Sequence, residues 1–393
     1  MRPEAVEAMQ PFLGGEVFGN PSGSHSWGRA ARRALDDARD TLAEVLGAEP
    51  GEIVFTSGGT EADNLAVLGV LERRPGVAAC TAVEHHAVLE PVERTGGRVI
   101  AVDGRGVVDL TALAEALDDD VAIVSVMLAN NEIGTIQPLD AVAEAVRDRA
   151  PRAVLHTDAV QALAWLDVGA LATTADLISV GGHKIGGPKG IGALVVRTGS
   201  TLAARQIGGG QERDRRSGTQ NVAGAVGLAV AARLMAVEQE ARVARVGALR
   251  DRLVDGLLAA VPDAVEIGVT ERTAPVARRT DGDRAGGVGL APAPAALDRS
   301  HKVAGSAHLC FPGVESEALL FLLDDAGIAA SAGSSCASGA VDPSHVLAAC
   351  GVERSLASGA LRLSLGWCST ADDVDLALDL VPAAVRQLRG ETA

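Results

Sequence analysis

The residues able to do chemistry stand just past short apolar segments. Residues 177–180 (Leu-Ile-Ser-Val) read as a buried strand, and Gly181-Gly182-His183-Lys184 comes directly after it. A lysine amine there, with glycines letting other groups come close, suits condensation with a carbonyl compound to a Schiff base. A solvated loop lysine is the plainer alternative. A second candidate is Cys336, in Gly333-Ser334-Ser335-Cys336-Ala337-Ser338-Gly339. Backbone freedom and access to water there fit a nucleophilic thiol, although an inert cysteine in a small-residue loop has the same sequence. Cys310, between Leu309 and Phe311, reads as structural instead.

Other stretches share the position of Lys184. In Ser57-Gly58-Gly59-Thr60-Glu61-Ala62-Asp63-Asn64, glycines and a hydroxyl at a helix start offer donors to an anion. The alternative is a helix capped by Thr60, with Asp63 closing the box. Asp158 ends another strand, where a buried carboxylate needs a cation such as a protonated pyridine nitrogen, unless it is only an N-cap. Gln161, three residues on, shares its helix face and is placed to bond a phenolic oxygen. Glu84-His85-His86 offers an imidazole over a flat ring or a proton shuttle, or else a pair of helix-start histidines. Asn130-Asn131 is a ligand pair or a turn. Alternation in Leu361-Arg362-Leu363-Ser364-Leu365 sets Arg362 opposite the leucines, as a carboxylate clamp or part of a solvated face. The polar run 205–221, with Gly208-Gly209-Gly210 and Arg216-Ser217-Gly218-Thr219, embraces a phosphate or is a plain loop. Thr60, His85, Asn131, Asp158 and Lys184 all lie past strand C-termini, the edge where open parallel sheets keep their ligand crevices.

The elements that must position these residues alternate. Helices are predicted over 4–13, 26–46 (ending at Gly47), 60–71, 86–95, 110–117 and 139–149. Strands are predicted over 52–56, 76–82, 98–102, 121–128, 154–156, 177–180 and 193–196. Such alternation gives an α/β fold with a largely parallel sheet covered on both faces. One or two long helices over 222–258 lead to a second unit. It holds a strand at 308–311, a helix at 316–325, a helix near Pro343, a strand at 360–365 and a helix at 371–388. The Arg-, Gly-, Pro- and Ala-rich stretch 270–302 reads as an exposed insertion.

Composition narrows the function. The 393 residues allow two domains, and 47% hydrophobic content fits a globular chain without a membrane span. A net charge of −16 with no basic tract argues against nucleic acid as partner, and the absence of tyrosine removes stacking platforms. The acidic N-terminus reads as no secretory signal. Five scattered cysteines without a Cys-x-x-Cys pair disfavour a disulfide framework or metal site and favour a reducing cytoplasm.

Taken together, Phe18-Gly19-Asn20-Pro21-Ser22, Ser57-Gly58-Gly59-Thr60-Glu61, Glu84-His85, Asn130-Asn131-Glu132-Ile133-Gly134, Asp158-Ala159-Val160-Gln161, His183-Lys184, Arg216-Ser217-Gly218-Thr219 and the Cys336 loop make a specific set. With them the chain resembles the NifS/IscS-type cysteine desulfurases, in the class V aminotransferase group of pyridoxal 5'-phosphate (PLP) enzymes, over nearly its whole length. The resemblance implies the type I fold of PLP-dependent aminotransferases. A large domain with a mostly parallel sheet would span 14–240, and a smaller α+β domain 241–393 together with 1–13. It implies that Lys184 carries PLP, Asp158 pairs with the pyridine nitrogen, Gln161 bonds the ring oxygen and His85 stacks on the ring. Gly59, Thr60 and His183 would hold the phosphate, with Thr219 supplied by the other subunit of a homodimer. Asn131 would touch the cofactor and, with Arg362, bind the substrate carboxylate.

The implied reaction takes L-cysteine to L-alanine with catalysis by Lys184, Cys336 and His85. Sulfur would pass through a persulfide on Cys336 to an acceptor protein of iron–sulfur assembly or tRNA thiolation. A selenocysteine lyase, an aminotransferase of the same fold and a catalytically impaired scaffold are the alternatives. Four departures from the family pattern stand out. This sequence starts after a usual Ala-Ala-Thr-Thr turn, Gly181 stands where a phosphate-binding serine is common, Gly186 replaces an aromatic, and 270–302 is long.

Overall fold

The structure, a computed structural model, describes residues 1–271, 297–333 and 344–391. The N-terminal helices are α1 (Pro3–Leu13) and α2 (Ser26–Val45). Next in the chain are β1 (Ile53–Thr56), α3 (Gly59–Arg73), β2 (Val77–Thr81), α4 (His86–Arg94), β3 (Arg98–Ile100), α5 (Leu110–Ala116), β4 (Val121–Ser125), α6 (Leu139–Arg149) and β5 (Val154–Asp158). Then come α7 (Val168–Leu171), β6 (Leu177–Gly181), β7 (Gly192–Val196), α8 (Val222–Val237) and α9 (Gln239–Ala260).

The seven strands form one sheet in the order β1-β7-β6-β5-β4-β2-β3. Every pairing is parallel except those of β7, which runs antiparallel to both neighbours. The strands β1, β4, β5, β6 and β7 are buried along their whole length, as β-branched segments covered on both faces should be. Gly181 pairs with Gly192 across β6 and β7, so residues 182–191, with Lys184, form the loop of a hairpin. The predicted strand at 121–128 stops at Ser125, and the one at 154–156 runs on to Asp158.

Both α1 and α2 pack on α8. The long helical stretch is two helices, bent by 76° at Glu238. Arg2 holds that corner: its guanidinium donates to Glu238 and sits 4.9 Å over the Trp367 ring, while its N–H donates to Gly186 O. Gly186 takes φ +77°, and a Cβ there would come within 2.8 Å of Arg2 Cγ, so this chain fills with Arg2 the space beside the departure at Gly186. Among the described residues, no single helix is long and apolar enough to cross a membrane.

The second unit holds β8 (Val265–Glu266), β9 (Thr270–Glu271), β10 (Leu297–Asp298), β11 (Ser306–Cys310), α10 (Ser316–Asp325), α11 (His345–Ala349), α12 (Arg354–Ala357), β12 (Ala360–Ser364) and α13 (Ala371–Arg389). Strands β12, β11 and β8 form an antiparallel sheet, and β9 pairs with β10 as a ribbon. The expected exposed insertion is corrected at its C-terminal end. Lys302 is fully buried, donating to Glu266 Oε1 at 3.0 Å and Ile267 O at 2.8 Å, and Arg299 binds Glu266 Oε2 at 2.8 Å. One buried carboxylate with two cations draws these residues inward. Residues 272–296 lie outside the described residues, as do Cys336 and Pro343.

Candidate active site

A cavity of about 430 Å³ opens at the C-terminal edge of the parallel strands. It is lined by Gly59, Thr60, Asp63, His85, Met127, Asn131, Asp158, Val160, Gln161, His183, Lys184 and Arg362. Of the residues to which the resemblance gives a role, all but Thr219 and Cys336 line this cavity. Thr219 is exposed and does not line the cavity of its own chain, and Cys336 lies outside the described residues.

The N-terminus of α3 meets the cavity through close glycine packing. Gly58, at φ +155°, occupies the N-cap position without any side-chain cap, which rules out the alternative of a Thr60–Asp63 capping box. Glu61 closes this turn instead, accepting from Ser57 N–H at 2.8 Å and from Arg216 Nε at 2.8 Å. The first intrahelical bond is Ala62 N–H to Gly58 O, so the amides of Gly59, Thr60 and Glu61 come before the ladder and are available to an anion. A Cβ on Gly59 would lie 2.6 Å from Val160 Cγ2. Gly59→Ala is therefore expected to force α3 away from the end of β5, costing about 1–3 kcal/mol in urea unfolding.

Asp158 is buried, and its Oδ1 accepts from Val160 N–H at 2.8 Å. Burial pushes its carboxyl up to about 6, against the pull of the Val160 amide and the Lys184 ammonium. Lys184 ends a single 3-10 turn, Gly182–Lys184, at the start of the hairpin loop and is open to solvent. Gln161 reaches the cavity from a turn that precedes the short 3-10 segment Ala162–Ala164, rather than from the expected helix face. His85 caps α4, its Nδ1 accepting from Ala87 N–H at 3.1 Å. Burial, then the neighbouring His86 and Lys184 charges, hold its pKa below the ordinary histidine value. The neutral ring therefore carries its proton on Nε2. His85 is thus a helix cap that also lines the cavity.

The Asn pair divides its labour. Asn130 makes the turn, its Oδ1 accepting from Glu132 and Ile133 N–H at 2.8 and 2.9 Å, and Asn131 lines the cavity. Arg362, on the face of β12 opposite the leucines, donates from Nη1 to Asn131 O at 3.2 Å. A smaller cavity of about 130 Å³ shares Asn131, Gln161, Lys184 and Arg362 and adds Trp165, Arg242 and Trp367. The candidate phosphate loop at 205–221 behaves differently. Glu212 is buried there against Arg39, with two contacts of 2.9 Å, and Glu212, Arg213 and Asp214 all take positive φ.

Asp63 of the cavity lining adjoins further buried groups to which sequence reasoning gave no catalytic role. Asp63 and Glu84 are fully buried acids, and His156 spans β4 to β6, its Nδ1 2.8 Å from Ser125 Oγ and its Nε2 2.9 Å from Ser179 Oγ. Burial pushes His156 down to about 3 and Glu84 up to about 8, and it raises Asp63 well above the carboxylate range with help from Asp158. Asp63 had a signal, since it falls one helical turn past Thr60. Glu84, by its folded pKa, contributes stability that is full below about 4.5 and is lost as pH rises through about 8. Glu84→Gln should flatten that fall, as read from thermal melts at pH 5 to 9.

Comparison with known proteins bears on what this site does. The family model described as aminotransferase class-V matches residues 1–277 and 294–377. An "IscS-like cysteine desulfurase" of Mycobacterium tuberculosis is 43% identical, over 99% of this chain and 94% of its own length. A solved "NifS-like protein" superposes with a TM-score of 0.84 at 33% identity, covering 98% of this chain and 96% of that one. A structure titled "SspA in complex with cysteine" does so at 0.72 and 27% identity, covering 93% and 95%. The chain belongs to the class-V aminotransferase family. Within that family it falls among the IscS- and NifS-like cysteine desulfurases.

Proposed function

We propose that the protein converts L-cysteine to L-alanine on PLP and carries the sulfur away as a persulfide on Cys336. The observation that carries this reading is the pairing of Lys184 and Asp158 on one cavity, close enough for the lysine charge to lower the aspartate pKa. The residues present fit PLP. The anion-ready N-terminus of α3 suits its phosphate, the buried Asp158 carboxylate its pyridinium, Gln161 its phenolic oxygen and His85 its ring face. A Cβ at Gly181 would lie 3.3 Å from Val160 Cγ1, 3.5 Å from His183 Nδ1 and 3.6 Å from Gly59 N, and with no hydroxyl at this position the phosphate contacts fall to Thr60, His183 and the α3 amides. PLP, when bound, supplies an electron sink next to the substrate amine.

The chain's own groups do the rest. Arg362 and Asn131 orient the substrate carboxylate, Arg362 by charge-assisted hydrogen bonds. Lys184, once its amine is free, takes the proton from the substrate Cα. Asp158, ionised beside that lysine, holds the proton on the pyridine nitrogen. Neutral His85 keeps a donor at Nε2. Cys336, as thiolate, attacks the substrate sulfur, so that one S–S bond forms and one C–S bond breaks. The sum is L-cysteine plus the Cys336 thiol giving L-alanine plus the Cys336 persulfide. Bringing two sulfurs into contact is the main entropic contribution.

In this reading the enzyme is a homodimer. Exposed Thr219 serves the partner's phosphate, and exposed Phe18, Trp27 and Ile207 supply apolar surface for association. It works in the cytoplasm, in keeping with the free thiols of Cys80, Cys310 and Cys350. It hands sulfur to an iron–sulfur scaffold or a tRNA thiolation enzyme. Incubation of the PLP-loaded protein with L-cysteine and a reductant tests the reaction. Equal amounts of alanine and sulfide are expected. Pyruvate or a transaminated product without sulfide would refute it.

A further inference from the structure

We propose that Glu132 is a positioning residue that ties Gly333 and Ser344, the residues flanking the Cys336-bearing segment, to the Asn131–Arg362 pair. The proposal rests on the functional reading above. Glu132 is buried and its backbone is fixed: its carbonyl accepts from Ser306 Oγ at 3.1 Å and from His308 Nδ1 at 3.3 Å. Its carboxylate Oε2 accepts from Ser344 Oγ at 2.5 Å. The same oxygen lies 3.0 Å from where a Cβ on Gly333 would sit, and Ser344 Cβ lies 3.4 Å from that point. Gly333 takes φ +129°, so glycine is what brings the backbone this near. Ser344 therefore bonds the same carboxylate oxygen against which the Gly333 backbone packs.

The chain of contacts then closes on the cavity. Ser331 Oγ donates to Gly333 O at 3.0 Å, and Ser331 exchanges backbone bonds with Arg362 at 3.2 and 2.6 Å. Arg362 in turn donates to Asn131 O, one residue from Glu132. The ring Glu132, Gly333, Ser331, Arg362, Asn131 joins the base of the thiol segment to the residues that face the substrate carboxylate. Holding the ends together also removes the closure entropy of the segment between them.

Ser344 also caps α11, accepting from Val346 and Leu347 N–H at 3.1 and 3.3 Å, so the test must separate tether from cap. Ser344→Asp keeps capping oxygens but sets a second carboxylate against Glu132. Ser344→Gly keeps nearly all of the cap's value without the hydroxyl and adds no bulk, so it decides the matter should the Asp variant not fold. Ser344→Thr retains both roles. Hydrogen exchange over 334–343 in the PLP-loaded enzyme is measured together with kcat and KM for L-cysteine.

In the Asp and Gly variants, exchange should rise about five-fold or more as the anchored ends open. Turnover should fall about ten-fold through misplacement of the thiol, with KM within about two-fold of the parent value. The Thr variant should match the parent. Parental exchange in both the Asp and Gly variants overturns the proposal. Faster exchange with full turnover would show that the anchor does not position the thiol and would likewise overturn the proposal.

Discussion

Cys336→Ser is expected to keep its visible cofactor absorbance and to release no alanine from L-cysteine. The serine hydroxyl is not ionised at neutral pH and cannot take up the sulfur, so the C–S bond has no partner to break toward. Loss of a covalent nucleophile registers on the order of 10³-fold or more in turnover. PLP loading should be untouched, because the groups proposed to hold it lie on α3, β5 and the turn after it, the start of α4 and the β6–β7 hairpin, none of them on the Cys336 segment. The other thiols offer no substitute. Cys80 is pushed far above the usual thiol range, and Cys310 and Cys350 are raised to about 12, chiefly by burial. Cys368 is exposed but lies after β12, and it does not line the cavity. Full turnover in Cys336→Ser would remove the thiol from the mechanism.

Lys184→Ala should be as severe by a different route. It removes the base that moves the Cα proton, a loss on the order of 10²–10⁴-fold, together with the amine that holds the cofactor. Lys184→Arg should not rescue, since a guanidinium stays charged and neither condenses nor shuttles the proton. Lys184 is solvent-exposed on its loop, so the melting temperature of the apoprotein should barely move. Steady-state alanine production and a thermal melt on the same preparations read both effects.

Much of this was legible because the sheet is simple. Apolar β-branched runs such as 177–180 and 121–125 are buried strands, and the residues just past parallel strands land on one edge of the sheet. That argument alone gathered Thr60, His85, Asn131, Asp158 and Lys184. It failed where local geometry and long-range charge decide. Gln161 sits in a turn because β5 runs two residues further than its apolar segment, to Asp158. Thr60 lost the cap to Gly58, whose φ of +155° only glycine takes up readily. Lys302, in a stretch rich in Arg, Pro and Gly, is internal because Glu266 on β8 needs its charge. His156 on β5 and Glu84 in the turn after β2 stayed hidden since nothing in the local sequence reveals which buried polar residues will face one another. Glu132 stayed hidden for a similar reason: its partner Ser344 lies 212 residues away. The second of two adjacent glycines, Gly59, is needed for a contact with Val160, four strands and three helices further along the chain.

The chain contains only three lysines, Lys184, Lys189 and Lys302, and the last is sealed in an ion pair with Glu266. Borohydride reduction of the PLP-loaded protein, with peptide mapping of the product, therefore tests the central claim directly. The account predicts one stable adduct, on Lys184, lost on prior exposure to L-cysteine and sharply reduced in Asp158→Ala. An adduct on Lys189, or no adduct at all, would contradict it.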